Sequence, residues 1–97
     1  MSAQMSFEDF AAATTPPAGA GPALLALWYD LQGDWDRAHQ VAQEDGGSDG
    51  DWVHAYLHRK EGDEMNAHYW YSRAGKSAAS GDLDAEREAI ARALLRG

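Results

Sequence analysis

The sequence predicts an all-α fold built from two tandem helix–turn–helix hairpins and a C-terminal capping helix. Three observations predict it. Apolar residues recur at the i, i+3, i+4, i+7 spacing of one helix face, and a seven-residue motif returns after 29 residues. No segment alternates apolar and polar residues with the period of two that is typical of strands. We therefore expect helices throughout the chain.

Residues 1–21 are predicted to form an N-terminal arm that ends in a Pro/Gly linker. Ser6 is suited to cap one or two helical turns, because acidic residues follow it in the first turn. The stretch 14–21 contains two prolines and two glycines, which interrupt regular structure. Two interpretations stay open, a flexible arm that docks on a partner and a poorly ordered terminus.

Residues 22–97 are predicted to form one helical-repeat domain, because apolar stripes and turn signals alternate along them. The last helix begins with acidic residues and ends with arginines, as the helix dipole favours. Its apolar residues cover one side only, so it has the character of a terminal cap. The predicted units are repeat 1 at about 22–46, repeat 2 at about 51–75 and the capping helix at about 82–96.

An internal repeat supports this division. Sliding the chain by 29 residues aligns the segment 33–39 with the segment 62–68, and four of the seven positions are identical. The shared glycine suits a left-handed helix end, and the shared aspartate suits the cap of the next helix. The shared alanine allows two helices to approach closely. Its two copies, Ala38 and Ala67, are therefore predicted at close helix contacts.

The run QGDWDRA at 32–38 is similar to the turn of the tetratricopeptide repeat. Ala67, Tyr71 and Ala74 resemble the alanine–aromatic–alanine spacing of its second helix. The resemblance spans about residues 22–75, although the period here is 29 residues rather than about 34 and no proline closes either unit. The resemblance implies a right-handed stack of helical hairpins whose inner face binds peptides or partner proteins.

Composition and charge argue against several classes of function. The formal net charge of −8 repels nucleic-acid phosphates, and no cluster of lysines and arginines offsets it. No stretch approaches the roughly 20 apolar residues of a membrane span, and the N-terminus lacks the pattern of a secretory signal. The absence of cysteine excludes disulfides and thiolate sites and fits a reducing compartment. We expect a cytoplasmic protein that binds neither nucleic acid nor membranes.

The predicted function is that of a non-enzymatic protein- or peptide-binding module without a cofactor. The glycine-rich segment 46–50 lacks the lysine of a phosphate loop, and no serine lies in a nucleophile elbow. Tyr29, Trp52 and Tyr69 lie off the main apolar stripes, and such aromatic residues favour interfaces. These three are the predicted binding residues. The surplus of large aromatics also predicts a two-fold homodimer.

His54 and His58 provide the alternative hypothesis, a metal-binding or metal-dependent protein. Their spacing of four places both imidazoles on one helix face, as metal ligation requires. His68, Asp63 or Glu64 is expected to supply further ligands. Alanine follows His54 where zinc-protease helices have glutamate, so that chemistry has no support.

The other two histidines, His39 and His68, share one position of the internal repeat, next to the packing alanine. We expect capping or helix-surface roles for them, since equivalent positions of two repeats need not meet in space. The competing interpretation of the His54 and His58 pair is two hydrogen-bonded or half-exposed side chains without a metal.

Overall fold

The computed structural model describes residues 5–96, and this range contains six helices and no strand. The predicted all-α class is therefore confirmed. The first four residues of the predicted arm and the last residue of the predicted domain lie outside the described range. No helix within residues 5–96 is long and apolar enough to cross a membrane. The helices are α1 (Phe7–Ala12), α2 (Pro22–Leu31), α3 (Trp35–Glu44), α4 (Ser48–Lys60), α5 (Glu64–Ala74) and α6 (Leu83–Leu95).

The turns that follow α2 and α4 have the same conformation. Gly33 and Gly62 have φ angles of 85° and 91°, which glycine adopts without steric cost. Asp34 and Asp63 come next, and each carboxylate accepts a hydrogen bond from the backbone N–H three residues further on. The N–H of each aspartate donates to the carbonyl five residues before it, at 3.0 and 2.9 Å. The predicted aspartate caps are confirmed at both turns.

The helix α4 begins at Ser48, earlier than the start at about residue 51 that the sequence predicts. The difference arises from Gly50, which has the composition of a turn but lies buried in the first turn of α4. A Cβ atom there would collide with the side chain of Asp45. Glycine is therefore required because α4 approaches the end of α3 closely, and α4 begins before the predicted start of repeat 2.

The helices form two pairs that pack side by side. The first pair, α2 with α3, contacts the second pair, α4 with α5, through α4, which touches both α3 and α2. The helix α6 lies against α1, α2 and α4. Ala38 is buried in the main core, and Ala67 is buried in a smaller cluster between α4 and α5. The largest fully buried apolar side chains of the main core are Phe10, Leu27, Val53, Tyr56, Leu57 and Ile90.

The helix α1 packs on this core. Ser6 caps it by accepting a hydrogen bond from the Asp9 N–H, as predicted. Phe10 is fully buried, and the indole N–H of Trp28 donates to the Ala13 carbonyl at 3.1 Å. These contacts attach the N-terminal segment to α2.

A buried carboxylate connects α2, α4 and α6. Asp30 accepts hydrogen bonds from the Tyr56 hydroxyl at 2.7 Å, from Lys60 at 2.8 Å and from Arg87 at 3.1 Å. Burial and the neighbouring Asp30 carboxylate raise the pKa of Tyr56, so its hydroxyl keeps the proton that it donates. The ring of contacts around Asp30 fixes α6 against the first pair.

Candidate functional site

Three histidines meet where the two helix pairs touch. His54 and His58 come from α4, and the third ring is that of His39 from α3. One nitrogen from each ring lies within 4.8 Å of the other two. The Nε2 atoms of His54 and His39 are 2.9 Å apart. We call these three residues the histidine cluster.

Local geometry explains how His39 reaches the cluster. Trp35 begins α3 directly after the Asp34 cap, and His39 follows one turn later on the same helix face. The indole of Trp35 stacks on the His39 ring, with the centroids 4.9 Å apart and the planes at 10°. The same indole donates its N–H to the Leu57 carbonyl of α4 at 2.9 Å. Trp35 therefore both orients His39 and ties α3 to α4.

A second indole, from α5, supports the His54 ring. Trp70 of α5 stacks on the His54 ring, with the centroids 4.1 Å apart and the planes at 22°. The Arg73 guanidinium lies 5.2 Å from the centroid of the Trp70 ring. His54 is only 4% exposed, yet it borders an open pocket of about 240 Å³ that Trp70 and Arg73 also line. Solvent can therefore reach this edge of the cluster.

The orientation of His58 is fixed by a carboxylate. Its Nδ1 lies 2.6 Å from Oε1 of Glu61, one turn further along the chain. Because a carboxylate accepts hydrogen bonds, this contact favours the tautomer with the proton on Nδ1. The lone pair of the neutral ring is then on Nε2, the nitrogen that Glu61 leaves available.

The charge state of the cluster follows from its burial. Burial and, to a smaller extent, the neighbouring imidazoles of His39 and His58 lower the pKa of His54 to about 4. Burial and repulsion by His58 also lower the pKa of His39. These two rings are consequently neutral at pH 7, and each offers a nitrogen lone pair.

A second group of ring and carboxylate atoms is explained by helix capping. His58, Glu61 and Asp63 also lie within 4.8 Å of one another. Both carboxylate oxygens of Asp63 are occupied by Asn66, one by its backbone N–H at 3.3 Å and one by its side-chain amide at 2.7 Å. Asp63 therefore serves as the cap of α5.

The sequence spacing correctly places His54 and His58 together. Of the expected further ligands, Asp63 lies near His58 but caps α5 instead. His68 and Glu64 are exposed on α5, and neither belongs to the histidine cluster. The residue that sequence reasoning missed is His39, which was expected at the helix surface. One signal for it exists in the sequence, since His39 lies one helical turn after Trp35, a large aromatic residue that is typical of a buried face.

The three predicted binding residues lie on three different helices. Tyr29 is half-buried on α2, with Arg37 5.3 Å from its ring centroid. Trp52 is half-buried on α4, with the Lys76 ammonium 4.1 Å from its ring centroid. Tyr69 is 54% exposed on α5. The structure thus gives each residue separate surroundings.

Tyr69 belongs to an exposed stripe along α5. Met65, His68, Tyr69 and Ser72 follow the i, i+3, i+4, i+7 spacing, and all four are exposed. Met65 is 87% exposed, and within residues 5–96 the large exposed apolar side chains are Met5, Met65 and Tyr69. We call these four residues of α5 the outer stripe.

Comparison with protein families, with curated proteins and with solved structures finds no match to this chain.

Proposed function

We propose that this chain is a non-enzymatic module that binds a polypeptide segment through the outer stripe of α5. The observation that carries the proposal is the exposure of Met65 and Tyr69, at 87% and 54%, one helical turn apart. Scattered exposed apolar residues need no explanation, but two on one face with a tyrosine among them favour an interface.

The position of α5 supports this assignment. In the described part of the chain, α4 is the helix whose backbone lies close to α5. The face of α5 opposite α4 therefore remains open to solvent over more than two turns. Arg73 lies 5.9 Å from the centroid of the Tyr69 ring, and its guanidinium donates to the Tyr69 hydroxyl at 3.3 Å. These contacts hold the aromatic ring in one orientation, which lowers the entropic cost of binding.

The architecture belongs to the same proposal. The turns after α2 and α4 share their glycine angles, their aspartate caps and their backbone hydrogen bonds. This likeness supports two tandem hairpins of a tetratricopeptide-like stack, with α5 as the outer helix of the second unit. Stacks of this kind bind partners on their concave, inner surface, so the outer stripe is a different site from the one that the resemblance implies.

Charge narrows the class of partner. The chain has a formal net charge of −8, and one of its acidic residues, Glu64, is exposed at the start of α5. A partner segment with apolar side chains flanked by basic ones would complement this surface. Nucleic acid would be repelled by it. A second copy of the chain carries the same negative charge and is a weaker candidate on that ground.

Site-specific crosslinking tests the proposal. A benzoyl-phenylalanine photocrosslinker replaces Tyr69, and in a second sample Met65, and the full chain is expressed in its native host. Gln40, exposed on α3, receives the same crosslinker as the matched control. We expect one discrete protein adduct from positions 65 and 69 and none from position 40.

The yield of the adduct should also depend on the side chains of the outer stripe. With the crosslinker at position 69, Met65→Glu should reduce the adduct several-fold, because a carboxylate replaces the apolar contact. The same adducts from position 40 as from position 69, or no adduct from either position of the outer stripe, would contradict the proposed function. A dominant adduct of twice the chain's mass would identify a second copy as the partner.

A further inference from the structure

We propose that His39, His54 and His58 form a binding site for a borderline transition-metal dication of the Zn²⁺ class. The site is distinct from the outer stripe of α5 and does not depend on the proposed polypeptide binding. It connects the two helix pairs, because one ligand comes from α3 and two come from α4.

The spacing of the nitrogens fits one tetrahedral ion. Zn–N bonds of about 2.0–2.1 Å at tetrahedral angles place the ligand nitrogens about 3.3 Å apart. The Nε2 atoms of His39 and His54 are 2.9 Å apart, and the three ligand atoms all lie within 4.8 Å of one another. Adjustments of a few tenths of an ångström at the close pair, and an inward movement of the third ring, would bring all three to bonding distance.

The donor set selects the class of metal. Three imidazoles without a thiolate or a carboxylate in the first shell suit Zn²⁺, Cu²⁺ and Ni²⁺, whereas Mg²⁺ and Ca²⁺ prefer oxygen ligands. Three protein ligands leave a fourth position for water or another ligand. The open pocket of about 240 Å³ beside His54 provides a solvent-accessible border through which an ion can approach.

The outer contacts of the ligands are those that orient metal-binding histidines. Glu61 holds Nδ1 of His58 at 2.6 Å, which leaves Nε2 available as a ligand. Trp35 and Trp70 stack on His39 and His54 and restrict the rotation of both rings. Glu61 is thus a positioning residue for the metal, acting through His58.

Calorimetry with the untagged full chain and ZnCl₂ at pH 7.4 tests the site. We expect one equivalent of Zn²⁺ to bind and the thermal midpoint to rise on the order of 10 °C at saturating metal. Trp35 and Trp70 provide a second readout, because Cu²⁺ or Ni²⁺ at the cluster should quench their fluorescence. MgCl₂ at the same concentration should produce neither effect.

Variants distinguish this site from incidental binding. His39→Ala and His58→Ala should each weaken Zn²⁺ binding at least 100-fold, and Glu61→Gln should weaken it about 10–100-fold. His68→Ala is the matched control, since His68 is exposed on α5 at the position equivalent to His39. It should leave the affinity unchanged. Circular dichroism of each metal-free variant establishes that it is folded.

Two results would overturn the proposal. One is the absence of stoichiometric Zn²⁺ binding by the folded wild-type chain. The other is binding that survives in folded His39→Ala and His58→Ala variants. Either result leaves crosslinking from the outer stripe unaffected, so the two proposals fail separately.

Discussion

His39 on α3 and His68 on α5 occupy equivalent positions, 29 residues apart, in the two helix pairs. Each follows the same glycine turn, the same aspartate cap and a buried alanine. His39 nevertheless belongs to the histidine cluster, whereas His68 is exposed. The difference comes from the neighbouring helix. The helix α3 has α4 packed against it, and the corresponding face of α5 has no described helix on it.

One local motif thus occurs in two different tertiary settings. Where the repeat is enclosed, its histidine faces two others and becomes a candidate metal ligand. Where the repeat ends, the same helix face remains open and becomes a candidate binding surface. Tertiary position, more than the local motif, therefore determines the surroundings of these two histidines.

The largest effect on stability is expected at Asp30 of α2, in the first helix pair. Asp30→Ala should lower the free energy of unfolding by about 3–5 kcal/mol, because it removes the buried carboxylate to which Tyr56, Lys60 and Arg87 all donate. Urea denaturation at pH 7 measures this. Asp36→Ala, an exposed acid of α3, is the control and should change stability by about 0.5 kcal/mol or less. Equal effects of both variants would show that Asp30 does not fix α6.

The next effect is a pH dependence that belongs to the histidine cluster. His54 takes up a proton at about pH 4 in the folded chain and near its ordinary value of 6.5 when unfolded. The unfolded state therefore binds more protons between these values, so the free energy of unfolding falls as pH decreases from 6.5 to 4. The loss should reach about 3 kcal/mol.

His54→Gln isolates this contribution, because glutamine does not titrate. The difference between wild-type and variant unfolding free energies should shrink or reverse over the same pH range, while other titrating groups affect both proteins alike. Parallel pH profiles of the two proteins would contradict the buried, neutral state assigned to His54.

The two packing alanines provide a direct comparison of the pairs. Ala38→Leu and Ala67→Leu should each cost about 1–3 kcal/mol, because both side chains are fully buried. We expect the larger loss at Ala38. There α3 is confined between α2 and α4, whereas α5 can move outward to accommodate the added atoms. Thermal melts of both variants measure the two losses of stability. A larger loss for Ala67→Leu than for Ala38→Leu would contradict this expectation.

The smallest effect is expected on the outer stripe. Tyr69→Ser should change the stability by about 0.5 kcal/mol or less, because the ring is largely in solvent. The same variant should impair partner binding. Chemical denaturation therefore provides the check, and a loss of 2 kcal/mol or more would mean that Tyr69 serves the fold rather than a partner.

Local signals were sufficient for most of the helix boundaries. Glycine turns and aspartate caps are encoded by adjacent residues, so the starts of α3 and α5 could be predicted. The start of α4 could not. Gly50 resembles a turn residue in sequence, and only its approach to Asp45 explains why it lies inside a helix.

The candidate site was predictable only within one helix. His54 and His58 share a face of α4 by spacing alone. Their third partner depends on how α3 packs on α4, which no spacing within a helix encodes. Sequence reasoning therefore chose nearby candidates such as His68 and missed His39, which is further away along the chain but closer in space.

Nuclear magnetic resonance of the imidazole rings tests the comparison of His39 and His68 most directly. Long-range nitrogen–proton spectra of uniformly labelled protein are recorded before and after one equivalent of Zn²⁺. The structure leads us to expect large shifts of the ring nitrogens of His39, His54 and His58, with His68 unchanged. A spectrum in which His68 shifts while His39 does not would contradict the different roles assigned to these two equivalent positions.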